Sequence, residues 1–311
     1  MRTQEKKLLD QGTFGCVYHP GFTCSHEPLD IKYTTKIHAH TEKTAINEIA
    51  ISEKVKTITN YEQHFSPVID NCIVDLEKTD PELEKCSFIK EDKKNRTIPY
   101  ISTKTQFIIG TTLMDYVSKH KTYAVITFLY DKLLKSVKKL EEKNIVHFDL
   151  KENNIIVKKT GEPIIIDFGI SIDFDKKNKI SNKDKAYLKK YFYAYTTNYK
   201  PWCVEIVLIC YIVNKKTPLT KEKIMEIFDE TSEPLKNKPY LNDDHEIYRE
   251  AFKNKVASKP HQELMIYLLQ TYKHWDKYAV SILFIQMLEK TNNEPTQARI
   301  KQLKENLRIS I

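Results

Sequence analysis

The chain has 311 residues, 41% of them hydrophobic and 30% charged, which excludes a disordered chain and is enough to build two packed lobes around a cleft. Its formal net charge of +8 rests on lysine, because arginine occurs only at positions 2, 96, 249, 299 and 308. So little arginine argues against sequence-specific reading of nucleic acid, which leans on bidentate guanidinium contacts, and leaves only weak, salt-sensitive attraction.

The most apolar stretch, residues 204–213, is about half a bilayer-spanning length and contains Glu205, so neither a transmembrane segment nor a membrane partner is expected. Residues 1–7 lead into no signal-peptide core. An intracellular protein follows as the expectation. With no CxxC pair, Cys16, Cys24, Cys72, Cys86, Cys203 and Cys210 are expected as free thiols. Cys16, His19, Cys24 and His26 are residue types that bind zinc, but their spacing matches no zinc pattern.

In chain order, residues 5–18 read as strand, glycine turn and strand, and residues 33–37 as another strand. Residues 41–58 suit a helix capped by Thr41 or Thr44, with Ala45, Ile46, Ile49, Val55 and Ile58 as its apolar positions. Residues 60–98 read as irregular, and strand character resumes over 98–109, ending at Gly110. Residues 113–120 suit a short helix. Residues 122–143 form the clearest amphipathic helix, with Ile126, Leu129, Tyr130, Leu133, Leu134, Val137 and Leu140 at helical spacing. Short strands follow at 155–157 and 164–166 around a Thr160-Gly161 turn. The remainder is mostly helical, including 221–228, 261–271 and 275–289. The pattern predicts an α+β protein of two lobes, a β-rich N-lobe over 1–110 and a mainly helical C-lobe over 111–311.

The chemistry concentrates in His147-Phe148-Asp149-Leu150-Lys151-Glu152-Asn153-Asn154, between a long helix and a short strand. Eighteen positions after Asp149 stands Asp167-Phe168-Gly169, directly after an apolar strand. A carboxylate and an amide on separate loops suit hard, oxygen-seeking Mg²⁺ with nucleotide phosphates, and a second carboxylate can accept the proton of an attacking hydroxyl.

These motifs, their order and their separation resemble the protein kinases, whose catalytic loop reads H-R-D-L-x-x-x-N and whose metal loop reads D-F-G. The resemblance implies a two-lobed kinase fold, with ATP and Mg²⁺ (or Mn²⁺) as cofactors. It makes Asp149 the catalytic base, with Asn154 and Asp167 as metal ligands. Lys151 would neutralise the transferred phosphoryl group, and it is the serine/threonine-type signature. Phe148 replaces the arginine that pairs with a phosphate on the activation segment, so activity independent of that phosphorylation is expected.

Asp10-Gln11-Gly12-Thr13-Phe14-Gly15-Cys16-Val17 resembles G-x-G-x-x-G-x-V with aspartate at the first glycine, so Gly12, Thr13, Phe14, Gly15 and Val17 would form the ATP lid. The phosphate-anchoring lysine is assigned to Lys36, with Lys32 as rival. Its helix partner is assigned to Glu48, with Glu42 and Glu53 as alternatives. Asp276, in Trp275-Asp276-Lys277-Tyr278-Ala279, resembles the family aspartate that braces the catalytic loop. Only Glu205 of the A-P-E segment end is kept, and 70 residues separate it from Asp276, so the C-lobe is expected to be rearranged.

The glycine loop ending G-C-V-Y, the cysteine after it and the Pro201-Trp202 segment end resemble the kinases of large cytoplasmic DNA viruses, which implies host cytoplasm or virion as the location. The expected function is a serine/threonine protein kinase acting on protein substrates. Lys176, Lys177, Lys179, Lys183, Lys185, Lys189 and Lys190 point to acidic peptides or a polyanionic partner, beside the plain reading of a solvated loop. Two alternatives stand beside this: a small-molecule kinase of the aminoglycoside or choline type, and a catalytically silent pseudokinase that binds a partner. The oligomeric state is left open.

Overall fold

A glycine-interrupted hairpin opens the first of two compact units, which comprise Met1–Gly110 with Ile164–Ser171, and Thr111–Pro163 with Ile172–Ile311. The computed structural model describes residues 6–12, 15–21, 30–39, 42–74, 82–92, 99–176, 185–236, 238–256 and 259–307.

Strands β1 (Lys7–Gly12) and β2 (Gly15–His19) pair antiparallel, and β3 (Tyr33–Ala39) continues the sheet with Lys36 opposite Val17. A Cβ at Gly15, whose φ is +154°, would collide with the carbonyl oxygen of Ile37, so this close approach needs glycine. Helix α1 (Lys43–Val55) is capped by Glu42, whose carboxylate accepts from the Thr44 backbone N–H at 3.1 Å, and not by Thr44, while Thr41 lies outside the described residues. A carboxylate at the helix N-terminus satisfies an orphan donor and suits the dipole. The helix buries Ala45, Glu48, Ile51, Ser52 and Val55, a stripe that leaves Ile46 56% exposed.

Residues 60–98, expected to be irregular, contain β4 (Phe65–Ser66), β5 (Val68–Val74) and the short helix α2 (Ser87–Asp92). In the sheet order β1-β2-β3-β6-β5, where β6 is Tyr100–Gln106, β5 is an edge strand. Its exposed Asp70 and Asn71 read as loop-like, and it is the ladder with β6 that makes it a strand. The Val68 N–H donates to Ser52 Oγ at 2.9 Å, which ties the strand to α1.

The free-thiol expectation is corrected here. Cys16 and Cys86 are disulfide-bonded with Cα atoms 6.1 Å apart, and Cys72 is disulfide-bonded as well. Cys16 and Cys86 are both buried in one apolar cluster with Tyr18, Ile37, Leu83 and Ile89, which brings two cysteines 70 positions apart within bridging distance. Cys203 and Cys210 are free and buried. Cys24 and His26 lie outside the described residues, and among those described no group of His, Cys, Asp and Glu is arranged to hold a metal.

In the second unit, β7 (Gly110–Thr112) leads into α3 (Leu113–Lys119), and α4 (Tyr123–Glu142) starts at Thr122, whose hydroxyl accepts from the Val125 N–H. The helix buries Ile126, Leu129, Tyr130, Leu133, Val137 and Leu140 along one stripe. After β8 (Ile145–Val146) and β9 (Ile155–Lys158), a turn with Gly161 at φ +96° leads to β10 (Pro163–Ile166). β10 enters the first unit and pairs parallel with β4, Ile165 opposite Phe65. β11 (Ile172–Asp173) pairs with β8 in the second unit.

The rest of the second unit is helical: α5 (Lys185–Leu188), α6 (Val204–Asn214), α7 (Lys221–Thr231), α8 (Asn242–Val256), α9 (His261–Gln270), α10 (Trp275–Thr291) and α11 (Gln297–Leu307). α6 is buried along its whole length up to Val213, as an all-round apolar helix must be. α10 packs on α4, where Phe284 stacks on Tyr130 at 4.2 Å and the Tyr130 and Ser281 hydroxyls share a hydrogen bond. Among the described residues no helix is long and apolar enough to cross a membrane. The sheet-rich beginning and helical remainder make the two-lobed α+β fold expected from the sequence.

Candidate active site

The first unit gathers the groups assigned to phosphate and, in Asp167, one of the two assigned metal ligands. Lys36 projects from the middle of β3, and its Nζ lies 3.8 Å from Glu48 Oε2 and 3.4 Å from Asp167 Oδ1. Burial works against the Lys36 ammonium, but the carboxylates of Glu48 and Asp167 outweigh it and hold its pKa above the ordinary value. Burial pushes the Glu48 carboxyl up to about 7 against the pull of Lys36. The rivals lie elsewhere: Lys32 sits in an exposed turn with its N–H on Asp30, Glu42 caps α1, and Glu53 pairs with Lys56.

Asp167 has φ +63°, a left-handed conformation that costs a non-glycine residue and is held by its surroundings. Phe168 is fully buried and meets Phe65 edge-on at 6.0 Å. Asn47 donates its amide to the carbonyls of Gly169 at 3.0 Å and Ser171 at 2.9 Å, so one turn of α1 presents Glu48 to Lys36 and Asn47 to the metal loop. Asn47 was not identified from the sequence, and only its place beside Glu48 hints at it.

In the lid, Gly12 is exposed, with no protein atom within 4 Å of a built Cβ, and Val17 is half-buried opposite Lys36. Thr13 and Phe14 lie outside the described residues. Asp10, at the position of the family's first glycine, accepts from the Gln11 N–H, and its charge adds to the field that favours the Lys36 ammonium.

The second unit gathers the groups assigned to proton and phosphoryl transfer. Asp149 Oδ2 accepts from Lys151 Nζ at 3.1 Å and from Asn154 Nδ2 at 2.9 Å. Asn154 Nδ2 also donates to the Asp149 carbonyl at 2.8 Å, which commits the amide nitrogen and leaves the amide oxygen as a ligand atom. Asp149 Oδ1 accepts from the hydroxyl of Tyr199, a residue that no sequence signal singled out. The loop is braced from beneath by Asp276, fully buried in α10, which accepts from the N–H groups of His147 at 2.7 Å and Phe148 at 3.1 Å.

Phe148 has φ +71°, a strained conformation for a bulky residue, fixed by Asp276 on its N–H and by the Trp202 indole N–H on its carbonyl at 2.9 Å. Its ring lies among Phe192, Trp202 and Trp275, so an apolar cluster stands where the family places an arginine. Glu205 is buried in the first turn of α6. Of the seven lysines that suggested an acidic partner, only Lys189 and Lys190 have described side chains, and both are exposed.

Mg²⁺ takes oxygen ligands. The Asp167 carboxylate, 40% exposed in its side chain, and the Asn154 amide oxygen are each donors of that kind, so the chemistry of each suits the ion.

Residues 3–274 match the family described as protein kinase domain. The chain is 24% identical over 168 residues to a probable serine/threonine-protein kinase of Dictyostelium discoideum, which covers 53% of this chain and 31% of that protein. It is 28% identical over 95 residues to the serine/threonine-protein kinase CBK1 of Pneumocystis carinii, covering 30% of this chain and 18% of the relative. A match to the receptor tyrosine-protein kinase erbB-4 of Mus musculus is 25% identical over 181 residues, covering 57% and 12%. The matched stretch therefore spans less than a third of each of these relatives. With a domain match over nearly its whole length, the chain belongs to the protein kinase family.

Proposed function

We propose that the chain is a serine/threonine protein kinase that transfers the γ-phosphoryl group of ATP to protein hydroxyls. The observation that carries this reading is the single hydrogen-bonded set of Asp149, Lys151 and Asn154, a base, a cation and an amide ligand held together on a braced loop. Lys36, kept charged between Glu48 and Asp167, holds nucleotide phosphate oxygens. Asp149 orients the acceptor hydroxyl and takes its proton as the acceptor oxygen bonds the γ-phosphorus. The bond from that phosphorus to the β–γ bridging oxygen breaks, with ADP as the leaving group. Lys151 balances charge on the transferred group. Asp167 and Asn154 are the residues that would ligate Mg²⁺, which when bound would neutralise charge at the phosphates.

Serine/threonine specificity rests on Lys151 and on relatives named as serine/threonine kinases, beside one named as a tyrosine kinase. The lysine-rich stretch before α5 supports acidic protein substrates. The Phe148 cluster supports activity that survives phosphatase treatment, because the ring of Phe148 stands among Phe192, Trp202 and Trp275 where the family places a phosphate-binding arginine. For location, the cytoplasm-or-virion expectation now carries a preference. Disulfides at Cys16, Cys72 and Cys86 favour a setting more oxidising than a reducing cytoplasm.

The test is transfer of labelled γ-phosphate to casein, histone and small alcohols by wild type and Asp149→Ala, followed by phosphoamino-acid analysis. Label on protein serine and threonine, lost in the variant, is the expected result. Equal transfer by the variant sinks the assignment of Asp149, and label confined to small alcohols replaces the protein substrate with a small one.

A further inference from the structure

The base in the second unit already holds a hydroxyl. Asp149 spends Oδ2 on Lys151 and Asn154, and its Oδ1 accepts from the phenol of Tyr199. Oδ1 is the carboxylate oxygen that Lys151 and Asn154 leave for an acceptor hydroxyl that is to give its proton to Asp149. The hydroxyl of Tyr199 therefore stands where the hydroxyl of a substrate has to come.

Tyr199 is not a loose side chain that happens to touch the base. The Trp202 N–H donates to the Tyr199 carbonyl at 3.0 Å, closing a turn, and the two rings meet edge-on at 5.1 Å. Trp202 is itself only 7% exposed and is pinned through its indole N–H to the Phe148 carbonyl. Phe148 lies 5.0 Å from the Trp202 ring and 5.6 Å from Phe192. The residue that takes the place of the family's arginine is thus the anchor of the segment that delivers Tyr199 to Asp149.

We propose that Tyr199 is an internal competitor for the acceptor position, an inference that rests on the kinase reading with Asp149 as base. A protein hydroxyl gains Asp149 only by displacing Tyr199, so the segment around Tyr199 holds the free enzyme back and selects for acceptors that bind well enough to move it. Apparent affinity for an acceptor is reduced by the fraction of molecules in which the site is open.

Tyr199→Phe keeps the ring against Trp202 and removes only the hydroxyl. Steady-state kinetics are measured with a casein-derived serine peptide at saturating Mg-ATP on wild type, Tyr199→Phe and Asp149→Ala. The expected result is a fall in KM for the peptide of about tenfold or more in Tyr199→Phe, the scale of one charge-assisted hydrogen bond, with KM for ATP unchanged. In the wild type, saturating peptide is expected to shift tryptophan emission, because Trp202 loses the Tyr199 ring as a neighbour. A peptide KM that is unchanged or higher in Tyr199→Phe, or emission that stays constant at saturation, overturns the inference and leaves the kinase reading standing. Absence of transfer to every acceptor by wild type and Tyr199→Phe alike overturns both.

Discussion

Replacing Glu48 by glutamine separates the cost of burying a carboxylate from its use. In the fold Glu48 is 4% exposed, and burial raises its carboxyl from 4.5 to about 7 although Lys36 lies 3.8 Å away. Between those values the folded chain holds a proton that the unfolded chain has released. The stability this contributes is fully present below about 4.5 and is lost as the pH rises through about 7. A displacement of that size amounts to on the order of 3 kcal/mol. Glutamine has the same shape and cannot ionise, so Glu48→Gln escapes the loss. The expected outcome is that the Tm of the variant, measured relative to wild type by calorimetry, rises by roughly 5 °C or more between pH 5 and pH 8. Lys36 meanwhile keeps only Asp167 of its two close carboxylates, so nucleotide binding by the stabilised variant is expected to weaken. A Tm difference that stays flat or shrinks across this pH range would show that Glu48 is not the group that takes up the proton, and the electrostatic account of the Lys36 site would go with it.

Two further substitutions probe the frame around the site. Asp276→Ala strands the buried N–H groups of His147 and Phe148 and is expected to lower unfolding free energy by about 2–5 kcal/mol in denaturant titrations, whereas a loss below about 1 kcal/mol would mean the loop braces itself. The Cys16→Ser, Cys86→Ser double variant opens a loop spanning 70 positions, for which chain entropy predicts a loss of up to about 4 kcal/mol. A Tm of the double variant equal to that of wild type under non-reducing conditions would rule that contribution out.

Local signals carried much of the fold and of the chemistry. The seven apolar positions between Ile126 and Leu140 announce α4 because helical periodicity is written in consecutive residues. The Asp149 and Asp167 motifs are short, and the strand before Asp167 and the helix before Asp149 are strongly patterned, so they were legible together. β5 was not legible, because an edge strand with Asp70 and Asn71 has no alternating pattern of its own and depends on its ladder with β6. The cap of α1 was misplaced for a related reason: threonine and glutamate both suit a helix start, and only the backbone geometry selects Glu42.

By itself, then, the sequence determined the two-lobed kinase architecture and the residue types available for phosphoryl transfer, since both rest on patterns within about twenty residues of chain. The sequence already favoured Lys36 and Glu48 over their rivals. Tertiary structure decided which of the candidate groups meet. It set Lys36, and not Lys32, beside Glu48 and Asp167, joined Cys16 to Cys86 across 70 positions, and laid the hydroxyl of Tyr199 on Asp149 from 50 positions away. Such contacts depend on how separate segments pack. Cysteines, lysines and tyrosines have short-range preferences too weak to name a partner so far along the chain, so the pairing becomes definite only when burial brings them together.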